Sequence, residues 1–328
     1  MRREIWRGIA VGVCLLGCLP LAKAGDDEGK SKKKEIAWAK SYDDAVAQAK
    51  KQKKLIMVDL YADWCGPCKM LDKNTYTDSK VIKLADEHFV SLKLDIDHAG
   101  KDAATKYGVQ SIPTILFLDP SSLSKIDEKP APGEIAGKLV GYKTAEPFAD
   151  DMKRIEGAYR EFPKLVNKFK ADPSNVEVLG KLAVIYHERD EDKKAIDLLE
   201  QADKKDPKNS KGYLTKAYNA IADSYQSEAM KVVQQGDIAG RDAQLAKAIP
   251  LFGKAAKTGK EPDDVFYAKS SIAACRFMKN ELKQGVAELE DALKIKGISA
   301  ANKEQGEMML GQVKEFLKKS ENTKQEDK

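Results

Sequence analysis

The feature that most constrains this chain is a pair of cysteines spaced by two residues, set where a strand pattern gives way to a helical one. Leu55 to Tyr61 is an apolar run broken by a single acid, Asp59, and reads as a central strand buried on both faces. Directly after it, Trp64-Cys65-Gly66-Pro67-Cys68-Lys69 opens a helix. Two intervening residues bring both sulfurs within disulfide reach in the first helical turn. Cys65 then falls at the helix N-terminus, where free N–H groups and the macrodipole favour the thiolate. The thiolate is the attacking species in thiol–disulfide exchange, so the spacing predicts Cys65 as nucleophile and Cys68 as resolving cysteine. Pro67 restricts the first turn, where a missing N–H costs little. The pair could also be half of a zinc site, but no second Cys-x-x-Cys and no close His pair completes one.

The chain has 328 residues, which suggests two domains. With 33% charged residues and one apolar run longer than about ten residues, it is too polar for a multi-span membrane protein. Lys plus Arg number 57 and Asp plus Glu 52, with the signs interleaved, so no nucleic-acid surface is implied. Five cysteines are too few for a disulfide-dense scaffold of this length.

Residues 1–24 read as a secretory signal peptide. Arg2, Arg3 and Arg7 precede the apolar stretch Ile9 to Leu21, and Ala22-Lys23-Ala24 offers a cleavage site. Its removal takes away Cys14 and Cys18 and most of the positive excess. A second reading competes: Leu15-Leu16-Gly17-Cys18 resembles a bacterial lipobox, although a Leu stands where a small residue is usual. The first reading gives a secreted or periplasmic protein, the second a lipid anchor on Cys18, the one route by which a membrane is implied.

Residues 25–35 are charged and Gly-containing, a disordered linker by composition. From residue 36 to 153 strand-like and helix-like patterns alternate, as in an α/β fold with a mixed sheet. Strands are expected at Ile36–Trp38, Leu55–Tyr61, Phe89–Ile96, Thr114–Leu118 and Gly137–Tyr142. Helices are expected from Ser41 to about Lys50, from the Cys65–Cys68 turn, from Asp78 to about His88, over Lys101–Tyr107, and from Ala145 to about Arg160. Residues 119–136 hold three prolines in a polar stretch and read as a hairpin insertion.

From residue 160 to 319 strand-like runs vanish and helix-period patterns fill the chain. Leu179, Leu182, Ala183, Tyr186, Ala195, Leu199, Ala202 and Pro207 fall on the eight characteristic positions of a 34-residue tetratricopeptide unit. Partial copies follow at Ala248, Phe252 and Ala255, and at Ala273, Gly285, Leu289 and Ala292. Pro250 sits inside a helical pattern and should kink or start it. A generic helical bundle is the alternative. Residues 300–319 read as a capping helix and 320–328 as a disordered tail. Cys275, within a helical repeat, reads as a buried small hydrophobe rather than a redox partner.

Over residues 36–153 the chain resembles the thioredoxin superfamily, with the strand, the acid and the active-site turn of "VDLYADWCGPCK" in family order. The resemblance implies a thioredoxin fold followed by an all-α, tetratricopeptide-like helical repeat domain. Asp59 matches the family's buried acid, which helps take the proton from the resolving cysteine; the apolar run around it predicts burial and a raised pKa. Lys93, in "SLKLDID", matches the lysine beside that acid. Ile112-Pro113-Thr114 matches the cis-proline loop that faces the cysteines and pairs with substrate backbone. Gly141 matches a glycine beyond the last strand pair. Trp64 either contacts a partner or packs, and Gly66 and Pro67 resemble reducing members. The longer segment 119–136 departs from the pattern and puts the substrate face at that edge in doubt. No metal and no cofactor is implied.

These readings lead to a thiol–disulfide oxidoreductase that reduces or exchanges disulfides of protein substrates and is re-reduced by a membrane electron donor. The helical repeats would bind a peptide or protein. The competing reading is a tetratricopeptide-type binding scaffold in which the thioredoxin-fold domain mainly docks a partner.

Overall fold

A computed structural model describes residues 35–326, apart from Ile126 and Gln235. The leader, Cys18, and all of the expected linker except Glu35 lie outside the described residues. The elements run α1 (Tyr42–Gln52), β1 (Leu55–Tyr61), α2 (Gly66–Met70), a π-helical turn (Leu71–Thr75), α3 (Ser79–His88), β2 (Phe89–Asp95), α4 (Lys101–Lys106), β3 (Thr114–Leu118) and β4 (Ile135–Val140). Helices follow: α5 (Ala145–Ala171), α6 (Val176–Glu188), α7 (Asp192–Lys205), α8 (Tyr213–Gln234), α9 (Ile238–Thr258), α10 (Pro262–Met278), α11 (Leu282–Ala292) and α12 (Ala300–Glu326). A thioredoxin-fold sheet region is therefore followed by a mostly helical one.

The sheet order is β2-β1-β3-β4. β1 pairs parallel with β2 and antiparallel with β3, which pairs antiparallel with β4. Alternation along β1 divides its side chains between two cores. Ile56, Val58 and Leu60 join Ala45 and Ala49 of α1 and Ala103 near α4's start. Leu55 and Met57 join Leu71, Val81, Ile82 and the α5 residues Phe148, Met152 and Ile155. Burying a side chain the size of Phe148 stabilises by roughly 2–3 kcal/mol.

Local signals place the helices as the sequence suggests. Ser41 accepts the Asp44 N–H at 3.1 Å to start α1. Asp78 accepts the N–H groups of Lys80 and Val81 at 2.8 and 3.3 Å to start α3. Three boundaries differ from expectation. Ile36–Trp38 contributes one bridge, Trp38 to Ser91, rather than a strand. The last strand spans Ile135–Val140, because Gly141 at φ +83° leaves extended backbone and ends it. The helix from Ala145 does not stop near Arg160 but runs to Ala171, through Pro163. Residues 153–160 lie inside α5, as the expected helix from Ala145 already implied, and the helix continues past them.

Two compact units are resolved, one ending at Ile221 and one starting at Ala222. In the first, α6 and α7 pack together and α6 packs on α5. Arg154 of α5 is ion-paired with Glu188. The Arg189 guanidinium stacks 4.0 Å from the Phe162 ring centroid and reaches the Gly133 carbonyl at 3.4 Å. In the second, α10 packs against α9 and α11, and α12 against α11. A Cβ on Gly285 would meet the Phe277 ring at 2.3 Å, so only glycine permits that close approach of α11 to α10. Pro250 sits inside α9. Backbone helix continues to Glu326, through most of the expected tail.

The register fixes where the segment between β3 and β4 leaves the sheet. The register pairs Leu118 with Ile56 and Ile135, and Thr114 with Leu60 and Val140. The insertion therefore leaves the sheet at the start of β1, whereas the cysteines follow its end. Glu134 anchors the insertion. Its carboxylate meets Lys106 at 2.6 Å, both side chains being fully buried, and accepts from the Tyr107 hydroxyl and the Ala131 N–H. Removing one member of such a pair strands the other charge, so Lys106→Met is expected to lower unfolding free energy by about 3–5 kcal/mol, measured by urea unfolding.

Candidate active site

The β1 strand delivers the chain to the cysteine turn. The Cys65 N–H donates to the Ala62 carbonyl at 3.0 Å, and α2 then starts with Cys65 as its N-cap. Cys65 Sγ accepts the Cys68 N–H at 3.1 Å. Cys65 and Cys68 form a disulfide with their Cα atoms 5.3 Å apart. Both residues are 3% exposed, so exposure does not distinguish them. The capping position does: Cys65 sulfur is the one that takes a helix N–H, the arrangement that stabilises a thiolate.

Around the disulfide, Ala62, Tyr61, Ile96 and Ile112 form a small apolar cluster. The Ile112–Pro113 peptide bond is cis. Pro113 is buried, and its carbonyl accepts the Gly141 N–H at 2.8 Å, tying the proline loop to the end of β4. Gly66 and Pro67 are exposed beside it. Trp64 is 67% exposed, and its Nε1–H donates to Asp97 Oδ2 at 2.7 Å. Asp97 is itself held by its N–H to Asp95 Oδ1 at 2.9 Å. The indole is thus fixed in place while its face stays open.

A charge cluster around the buried Asp59 follows from strand register. Asp59 pairs with Lys93 across β1–β2, and both face the α5 side of the sheet. Asp59 is 1% exposed, with Oδ2 3.8 Å from Lys93 Nζ. Lys93 also pairs with Asp72 of the π-helical turn. Its ammonium lies 4.6 Å from the Tyr61 ring centroid, 5.5 Å from that of Trp38 and 5.8 Å from that of Tyr76. Burial pushes the Asp59 carboxyl up to about 7; Lys93 acts against this and Asp72 with it.

The structure therefore brings Cys65, Cys68, Pro113, Ile112 and Trp64 to one end of the sheet, with Asp59 and Lys93 under that end. Asp72, Tyr76, Tyr61, Trp38 and Asp97 were missed. Cys68, Asp72 and Tyr76 are spaced by four, a signal available in the sequence, but the π-helical turn that positions the latter two has no such signature. Cys275 is buried in α10 with its thiol pushed up to about 12 by burial, so it offers no thiolate.

The Asp59 value carries a pH dependence of stability. Its folded pKa of about 7 lies above the ordinary 3.8, so the protonated group contributes stability in full below the lower value, and this is lost as pH rises through the upper one. Asp59→Asn is therefore expected to stabilise the protein above about pH 7, by up to about 4 kcal/mol, and to do so far less at about pH 4. Thermal unfolding at the two pH values measures the difference.

Comparison with known proteins agrees with this geometry. The profile of the family described as Thioredoxin-like matches residues 37–120. The thiol:disulfide interchange protein DsbD of Pseudoalteromonas atlantica is 34% identical over 118 residues, covering 35% of this chain and 18% of the relative. DsbD of Yersinia enterocolitica is 35% identical over 126 residues, covering 37% and 20%. The chain thus spans about a fifth of the length of these relatives. Thioredoxin-1 of Saccharomyces cerevisiae is 39% identical over 84 residues, which cover 26% of this chain and 73% of that protein. Through its sheet region, this chain belongs to the thioredoxin-like family.

Proposed function

We propose that this chain is a thiol–disulfide oxidoreductase that reduces or exchanges disulfides in protein substrates, acting in a secreted or periplasmic compartment. The observation that carries the reading is the Cys65–Cys68 disulfide, closed at a helix N-terminus with Cys65 sulfur accepting the Cys68 N–H. In the reducing direction, the Cys65 thiolate attacks one sulfur of a substrate disulfide and expels the other as a thiolate. Cys68 then gives its proton to Asp59, and its thiolate attacks Cys65 sulfur. This releases the second substrate thiol and closes the Cys65–Cys68 disulfide. Two electrons pass to the substrate, and a dithiol donor, by this reading at the membrane, returns them.

The other residues take supporting roles. The cis Pro113 and Ile112 offer a loop beside the sulfurs for substrate backbone. Trp64 presents an open ring to a partner. Lys93 holds the Asp59 carboxyl. The Gly66-Pro67 pair favours the reducing direction, since strong oxidants of this kind carry a histidine between the cysteines.

The helical region is read as tetratricopeptide-like and as the seat of a protein partner. In its support, Leu179, Leu182, Ala183, Ala195, Leu199 and Ala202 are buried in the α6–α7 hairpin, and Pro207 follows the end of α7. Ala248, Phe252, Ala255, Ala273, Leu289 and Ala292 are buried in the later helices. Secretion rests on the leader sequence. Among the described residues no helix is long and apolar enough to cross a membrane.

Dithiothreitol-driven insulin reduction tests the chemistry. The wild-type chain is expected to accelerate it, and Cys65→Ser to return it to the uncatalysed rate. Cys68→Ala is expected to accumulate mixed disulfides on Cys65, seen as reductant-sensitive adducts in non-reducing gels. A wild-type chain that leaves the rate unchanged would favour the scaffold reading instead.

A further inference from the structure

Among the described residues, two polar atoms around the β1 acid have no hydrogen-bond partner. Asp59 Oδ1 and the Tyr76 hydroxyl are both shielded from solvent, and neither completes a hydrogen bond in the disulfide form. Buried polar atoms are nearly always satisfied, so each exception needs a physical explanation. Here one exception is a donor and the other an acceptor, and they belong to groups that interact: the hydroxyl acts on the Asp59 carboxyl and the carboxyl on the hydroxyl.

Tyr76 cannot swing away. Its backbone N–H closes the π-helical turn on the Leu71 carbonyl at 2.9 Å. Its ring packs edge-on against Trp38 at 5.3 Å and Phe148 at 5.7 Å between centroids. The charged and titratable groups facing Asp59 are Lys93 from β2, Asp72 from the π-helical turn, Tyr76 just after that turn, and Tyr61 from β1. Lys93 lies against Oδ2 and is shared with Asp72. That leaves the Tyr76 hydroxyl as the donor for Oδ1. Burial keeps this hydroxyl protonated throughout the working pH range, so it is always available to donate.

We propose that Tyr76 is a positioning residue for thiol–disulfide exchange, whose hydroxyl donates to Asp59 Oδ1 when that carboxyl is ionised and so holds it in place to receive the Cys68 proton. This rests on Asp59 as proton acceptor. The bond is incomplete in the disulfide form, and the proposed role requires it to close when the carboxyl is ionised. A donor to the charged form lowers a carboxyl pKa, so Tyr76 partly offsets the effect of burial. Removing the hydroxyl should raise the pKa further.

The test is Tyr76→Phe, which keeps the packed ring, in the full chain held as its disulfide so that neither active-site cysteine titrates. Carboxyl ¹³C NMR follows Asp59. Its midpoint is expected to rise above the wild-type value by roughly half to one pH unit, and the acid limb of insulin reduction to move the same way. An unchanged or lowered midpoint overturns the proposal, whatever happens to Tm, because a purely structural Tyr76 would lower Tm without moving the titration. Should Tyr76→Phe not fold, the wild-type chain with ¹³C-labelled tyrosine decides. The Tyr76 Cζ resonance should step at the Asp59 midpoint, and a flat trace between about pH 5 and pH 9 overturns the proposal. A chain that reduces no insulin but shows the midpoint shift loses the oxidoreductase reading and keeps the Tyr76–Asp59 contact. A chain that reduces insulin with no shift keeps the reading and loses the role of Tyr76.

Discussion

Everything at the active end depends on one constraint: β1 is hydrogen-bonded along both edges and covered on both faces, yet carries a carboxylate. A strand in that position has no water to offer a charge. Asp59 is tolerated because register sets Lys93 beside it, and because parity turns both toward the same side of the sheet. The sheet thus fixes the acid, the lysine and the direction of the chain into the cysteine turn through a single pairing. A slip of one residue would turn Asp59 to the face lined by Ala45 and Ala49, away from the cysteines.

The two cysteines and the acid beneath them are served by different devices. The cysteine turn is local: a strand end, a helix start and a proline in the first turn. The environment of Asp59 is assembled from distant parts of the chain. Trp38 comes from the N-terminal segment, Lys93 from β2, Asp72 from the π-helical turn and Tyr76 from its C-terminal cap. The faces of Tyr61, Trp38 and Tyr76 lie around the ammonium and supplement the two carboxylates beside it.

How far this could be read from sequence follows the same division. β1, β3, the caps at Ser41 and Asp78, and the cysteine turn were legible because each is written in a few adjacent residues. The burial of Asp59 was legible because the apolar run around it leaves no solvent face. The cis state of Ile112–Pro113 was expected only from resemblance, since no local pattern distinguishes it from a trans bond. Trp38, Asp72 and Tyr76 were not legible as a cluster, because their meeting depends on register and on an extra residue in one helical turn. The end of α5 is not legible, because the composition shifts near Arg160 while Phe162 and Leu165 continue the apolar stripe of the same helix.

That unbroken α5 has a mechanical meaning. Met152 and Ile155 lie under the sheet, Phe162 lies against Arg189 at the end of α6, and Leu165 is buried farther along. One helix, continuous through Pro163, therefore serves as a beam shared by the sheet and the first helical hairpin. A push on the α6–α7 hairpin would reach the underside of the sheet as a displacement of that beam, where a flexible tether would have absorbed it.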